Sequence, residues 1–121
     1  SRNAPLASDK FLRLFDFPIP RATAAQRTAN VVPQQFLFML NSRFMLERAR
    51  ALATRLEQET AEPPVRVARA YSLLYGRAPT AREQAVAATY LAGEPPANGQ
   101  LTRWQQYCQA LLSANEFMYI R

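Results

Sequence analysis

A chain of 121 residues, 49% hydrophobic and 20% charged, has the length of one domain and the composition of a folded one. It lacks histidine and has one cysteine, Cys108, which excludes internal disulfides, Ser/His/Asp triads, Cys/His nucleophile pairs, zinc sites of the usual make-up and c-type haem attachment. The net charge of +6 is uneven, with eight basic and three acidic residues in 1–50 (+5) against seven and six in 51–121 (+1); every basic residue but Lys10 is an arginine and they are spread singly, so no nucleic-acid-binding stripe is expected.

Residues 1–32 read as an irregular lead-in with one short helix in DKFLRLF, capped by Asp9 and stopped by FPIP at 17–20, because proline lacks an amide hydrogen and restricts its predecessor. The opening SRNAPLASDK has no apolar core of a signal peptide. Pro33 suits a helical first turn, and no glycine or proline follows before Thr60, so one long helix is predicted there. Leu37, Leu40, Phe44, Leu52 and Leu56 form its apolar face, with Arg43, Arg48, Arg50, Arg55, Glu57 and Glu59 on the remainder.

Glu62, Pro63 and Pro64 interrupt this pattern. A second helix, VRVARAYSLLYGR, carries Val67, Ala68, Tyr71, Leu74 and Tyr75 on one face and ends at Gly76. In APTAREQ, Thr80 and Glu83 have the spacing of a capping box, in which hydroxyl and carboxylate each satisfy an orphan amide. Arg77 faces Glu83 across that turn, an ion pair suited to fixing a hairpin. The third helix runs to about Ala92, and GEPPANG is a loop. Leu101, Trp104, Cys108, Leu111, Leu112 and Asn115 stripe the last helix, which ends in EFMYIR. No alternating strand pattern occurs. The expected class is all-α: a small bundle of about four main helices over 33–121, forming a single domain with the lead-in. No apolar run nears the roughly 18 residues of a membrane span, so this segment is not expected to insert into a membrane.

Candidate functional residues cluster at the start of the long helix. Gln34, Gln35 and Asn41, with Arg27 upstream, are the polar groups of the least polar stretch, TANVVPQQFLFMLNSRFM. Gln34 and Asn41, seven residues apart, fall on one helix face, from which amides can hold a sugar, an anion or a peptide backbone. The same amides can instead satisfy main-chain groups of the lead-in, and that tethering role is favoured here, since unpaired buried donors cost about 1–3 kcal/mol each. Asp16 and Glu116 are the only acids set among aromatics, in FDF and NEFMY. A carboxylate beside a helix end usually caps or pairs, so Asp16, Arg77, Thr80, Glu83, Asn115 and Glu116 are read as structural, with no catalytic residue, metal or cofactor expected. Cys108 reads as a small buried hydrophobe, and the helical spacing of Trp104, Tyr107, Tyr71, Tyr75, Tyr90 and Tyr119 favours core packing over a binding platform.

Four blocks occur in an ordered series: FDFP at 15–18, RTANVVPQQFLFMLNS at 27–42, LYGRAPTAREQ at 74–84 and WQQYCQALLSANEFMYI at 104–120. In these the chain resembles the C-terminal part of the planctomycete surface-protein domain of unknown function that accompanies planctomycete-type cytochrome c domains. Phe36 departs from the pattern, which commonly has a small residue after the paired glutamines. The resemblance implies the final segment of a large exported protein, periplasmic or at the cell surface, whose other parts include a haem domain and sometimes a carbohydrate-binding-like module. It transfers no reaction, and no haem motif lies in this segment. The expectation is a non-catalytic helical module that packs on other domains of its parent protein or on a protein partner, through an apolar face rimmed by arginine. The alternative is an amide- and arginine-lined glycan or anion site built from Arg27, Gln34, Gln35 and Asn41.

Overall fold

The computed structural model describes residues 34–94 and 101–120, with the side chains of Leu37 and of 117–120 excepted. The expected lead-in with its short helix, Asp16, Arg27 and the centre of the GEPPANG loop lie outside the described residues. Within them the chain is all-α, with helices α1 (Gln34–Leu40), α2 (Arg43–Glu59), α3 (Pro63–Tyr75), α4 (Ala81–Leu91) and α5 (Arg103–Ile120).

The single helix predicted from Pro33 to Thr60 is two helices. Asn41 and Ser42 close α1 with tight turns, Asn41 N–H donating to Phe38 O (3.2 Å) and Ser42 N–H to Met39 O (3.1 Å). Ser42 then adopts extended backbone (φ −72°, ψ 133°), and its hydroxyl accepts from Met45 N–H as the N-cap of α2. A serine side chain competes for backbone groups, so Ser42 stops one helix and caps the next without glycine or proline. The elbow also shifts the helical phase. In an unbroken helix Phe44 would follow Leu40 on the inner face; across the elbow Met45 takes the buried place, and Phe44 is turned outward, 64% exposed.

Five further helix ends have local causes. Thr60 ends α2, with its N–H on Leu56 O, and its hydroxyl accepts from Glu62 N–H. Pro63 and Pro64 occupy the first turn of α3, where a missing donor costs nothing. Gly76 ends α3 in the left-handed region (φ 70°), where no side chain is accommodated without strain. Thr80 and Glu83 make the reciprocal cap of α4, Glu83 N–H donating to Thr80 Oγ1 (3.1 Å) and Thr80 N–H to Glu83 Oε1 (2.8 Å). A second such box opens α5: Thr102 N–H donates to Gln105 Oε1 and Gln105 N–H to Thr102 Oγ1, both at 3.0 Å.

α5 is the centre of the fold. Every residue from Gln106 to Ser113 is buried, and the helix packs on all four others, most extensively on α2. The stripe read from the sequence described one side of a helix that is enclosed on every side. Phe36 and Leu40 of α1, Met45, Ala49, Ala53 and Leu56 of α2, Val67, Ala70 and Tyr71 of α3, and Ala87 and Tyr90 of α4 join it in one core. Polar atoms of the core side chains bind main-chain carbonyls of neighbouring helices. Trp104 Nε1–H donates to Ala53 O (3.1 Å) and the half-buried Tyr75 O–H to Leu111 O (2.9 Å), so neither large aromatic leaves a donor unpaired.

Candidate functional site

The elbow between α1 and α2 is where the candidate ligand residues and the unusual surface coincide. Gln34, Gln35 and Asn41 are exposed, and their side chains form no hydrogen bond with another described residue. Arg27, the fourth member of the set, lies outside the described residues. On the same short helix Phe38 is 80% exposed, and beyond the turn comes Phe44, with the Arg48 guanidinium 5.4 Å from its ring centroid. Arg43 and Arg48 are exposed and form no ion pair among the described residues. Val65 and Leu73 on α3 are the other exposed large hydrophobic side chains among the described residues, each less exposed than Phe44.

The elbow is held from inside. Leu40 ends α1 with a carbonyl that has no helical donor, and Gln109 Nε2–H of α5 supplies one at 2.6 Å. Gln109 is fully buried. The amide that fixes this greasy segment to the bundle therefore comes from 69 residues downstream. A second buried amide, Gln106, accepts from the Tyr90 hydroxyl at 2.5 Å and ties α4 to α5. Neither glutamine stood out in the sequence, because both sit in the run WQQYCQ, which reads as the solvent side of an amphipathic helix.

The turn between α3 and α4 carries the densest polar contacts. Arg77 binds Glu83 through two parallel bonds (2.9 and 3.1 Å), donates to Ala78 O (3.0 Å) and lies 5.3 and 5.8 Å from the ring centroids of Tyr71 and Tyr75. The guanidinium, and secondarily the Thr80 cap, holds the Glu83 carboxyl below the usual carboxylate range, and the carboxylate raises Arg77 in turn. Both partners are substantially exposed, which limits such a pair to under about 1 kcal/mol, so it sets the register of the turn. Asn115 and Glu116 are half-buried near the end of α5.

Of the aromatics read as core, Tyr71, Tyr90, Trp104 and Tyr107 are buried and Tyr75 is half-buried, with Tyr71 edge-on to Tyr75 (5.1 Å) and Trp104 stacked on Tyr107 (5.8 Å), while the Tyr119 side chain lies outside the described residues. Burial pushes the phenols of Tyr71, Tyr75, Tyr90 and Tyr107 upward, and the Cys108 thiol with them. These groups stay neutral at physiological pH, and a neutral buried thiol is a poor nucleophile. The Arg103 guanidinium lies over Gly93, 4.3 Å from the Tyr90 ring centroid, while Arg103 Nε donates to Glu94 O (2.7 Å). No group of histidine, cysteine and carboxylate side chains able to hold a metal ion occurs among the described residues, and no described helix is long and apolar enough to cross a membrane.

No curated protein and no solved structure matches the chain. A match to a protein family does exist, over residues 3–91, which takes in the elbow, α3 and α4 and stops before the central helix α5. On that match, covering more than half of the sequence, the chain belongs to the PSD1 family of proteins of unknown function (DUF1553).

Proposed function

We propose that the chain is a non-catalytic helical interaction module, the C-terminal segment of a large exported protein of planctomycete surface type, which docks through the α1–α2 elbow onto another domain of that protein. The observation that carries this reading is the outward placement of Phe38 and Phe44 on either side of the Asn41–Ser42 turn. An exposed phenylalanine forgoes about 1.5–3 kcal/mol of burial, and two flanking one turn make a contact surface rather than scattered surface residues. Arg43 and Arg48 are exposed on the first turns of α2, Arg48 against the Phe44 ring, and arginine with aromatic side chains is the composition enriched at protein–protein contacts. The exposed amides of Gln34, Gln35 and Asn41 supply hydrogen-bonding groups at the same edge. The test is binding of this chain to the separately produced remainder of the parent protein. Saturable association, lost in the F38A/F44A double variant, is expected; equal binding by that variant would remove the elbow from the account.

The same exposed amides favour one second reading, in which Gln34, Gln35 and Asn41, together with Arg27, contribute a glycan or anion site to a larger protein. It predicts shifts of the Gln34, Gln35 and Asn41 side-chain amide resonances on titration with oligosaccharides or inorganic phosphate. Unmoved resonances at millimolar ligand would end it.

A further inference from the structure

Two polar atoms of the core have no partner among the described residues: Gln109 Oε1 and Ser113 Oγ, both on fully buried residues of α5. We propose that together they hold one internal water molecule, lodged beside α1 where that helix meets α5. The orientation of the Gln109 amide is fixed by its other end, since Nε2 must face the Leu40 carbonyl and Oε1 is thereby left as an acceptor in need of a donor. Ser113 lies four residues on, one turn further along the same face. Side chains at that spacing have Cβ atoms about 5–6 Å apart, which brings a polar atom of each within reach of one oxygen making hydrogen bonds of about 2.8 Å.

The donor and acceptor count fits water. Oε1 only accepts, and the hydroxyl both donates and accepts. A water molecule donating one hydrogen to Oε1 and exchanging a second bond with Ser113 Oγ has the two partners that an internal water requires. Neither residue has a charged partner, which sets water above an ion. Such a water would extend the Leu40–Gln109 contact into a three-membered network joining the end of α1 to two turns of α5. This inference is independent of the docking reading, since it concerns the interior of the fold.

Magnetisation transfer from solvent in the full 121-residue chain tests it. Cross-peaks from water to the Gln109 side-chain amide protons, with opposite sign in the laboratory and rotating frames, are expected as the mark of a long-resident molecule. In S113A they should fall at least fivefold, and because that variant also removes any relay through the exchanging hydroxyl proton, an isolated oxygen bonded to both atoms in a crystal structure of the unaltered chain is needed beside it. Should S113A not fold, a crystal structure of the unaltered chain decides, with an isolated oxygen within hydrogen-bond distance of both atoms as the expected result. Absence of both cross-peaks and density, or a main-chain amide found donating to Gln109 Oε1, would overturn the proposal.

Discussion

Replacing Gln109 with methionine isolates the contact that holds the elbow to the bundle. The side chain keeps nearly the same length and volume, so repacking contributes little, under about 1.5 kcal/mol. What is lost is the 2.6 Å donor to Leu40 O. A buried carbonyl left without a donor costs about 1–3 kcal/mol. Removing Oε1, itself unpartnered, returns part of that if no water binds it, so the net loss is about 1–2 kcal/mol, rising toward 3 if a bound water goes too. For a chain of this size each kcal/mol corresponds to roughly 3–5 °C in melting temperature, between the values for smaller and larger domains. Thermal unfolding followed by circular dichroism measures the loss, and amide hydrogen exchange locates it. Q109M should lower protection selectively in α1 and at the elbow, because α1 has only seven residues and depends on tertiary contact. The comparison is Q34M, on an exposed residue, which should stay within about 0.5 kcal/mol of the unaltered chain. If Q109M melted with the unaltered chain and α1 kept its protection, the tethering role assigned to Gln109 would be wrong.

Three further outcomes are expected. Y90F removes the hydroxyl that satisfies the buried Gln106 Oε1, and should cost about 1–3 kcal/mol in chemical denaturation with little change in m-value. T80A deletes one half of the α4 capping box and should cost about 0.5–2 kcal/mol, whereas the exposed T54A should be nearly neutral. Burial raises the folded-state values of Tyr71, Tyr75, Tyr90 and Tyr107 above the unfolded value of about 10, so their contribution to stability is complete below pH about 10 and is lost as pH climbs from there toward the folded values. Four-fifths of the phenolate absorbance, all but that of the fifth tyrosine, Tyr119, should therefore appear together with unfolding at alkaline pH, and titration of all five phenols in a still-folded chain would contradict the placement of the four.

Features set by a few adjacent residues were legible in the sequence. Thr80 and Glu83 are three apart and make their cap without help from elsewhere, Gly76 meets a purely local backbone demand, and Pro63–Pro64 mark the end of the preceding helix, although the structure takes them into the first turn of α3 and not into the loop before it. The all-α class followed from such punctuation. The elbow was not legible, because what stabilises it is distant: Ser42 is an ordinary helical residue until Gln109 satisfies the carbonyl that the break exposes. Missing the break put Phe44 on the inner face and hid Met45, an error of one residue in helical phase. Enclosure of α5 was hidden in the same way. Gln106, Gln109 and Ser113 look like a solvent face, and only the positions of Tyr90 and Leu40 on other helices make them interior. Thr102 and Gln105 did carry a readable signal, the same box as at Thr80, with glutamine in place of glutamate.

Docking through the α1–α2 elbow, proposed above, places that surface against the rest of a larger protein. Hydrogen exchange of the segment within the intact parent, compared with the chain alone, tests it most directly. Added protection is expected in 34–48, with α3 and α4 unchanged. Added protection that spares the elbow and falls elsewhere on the bundle would contradict it.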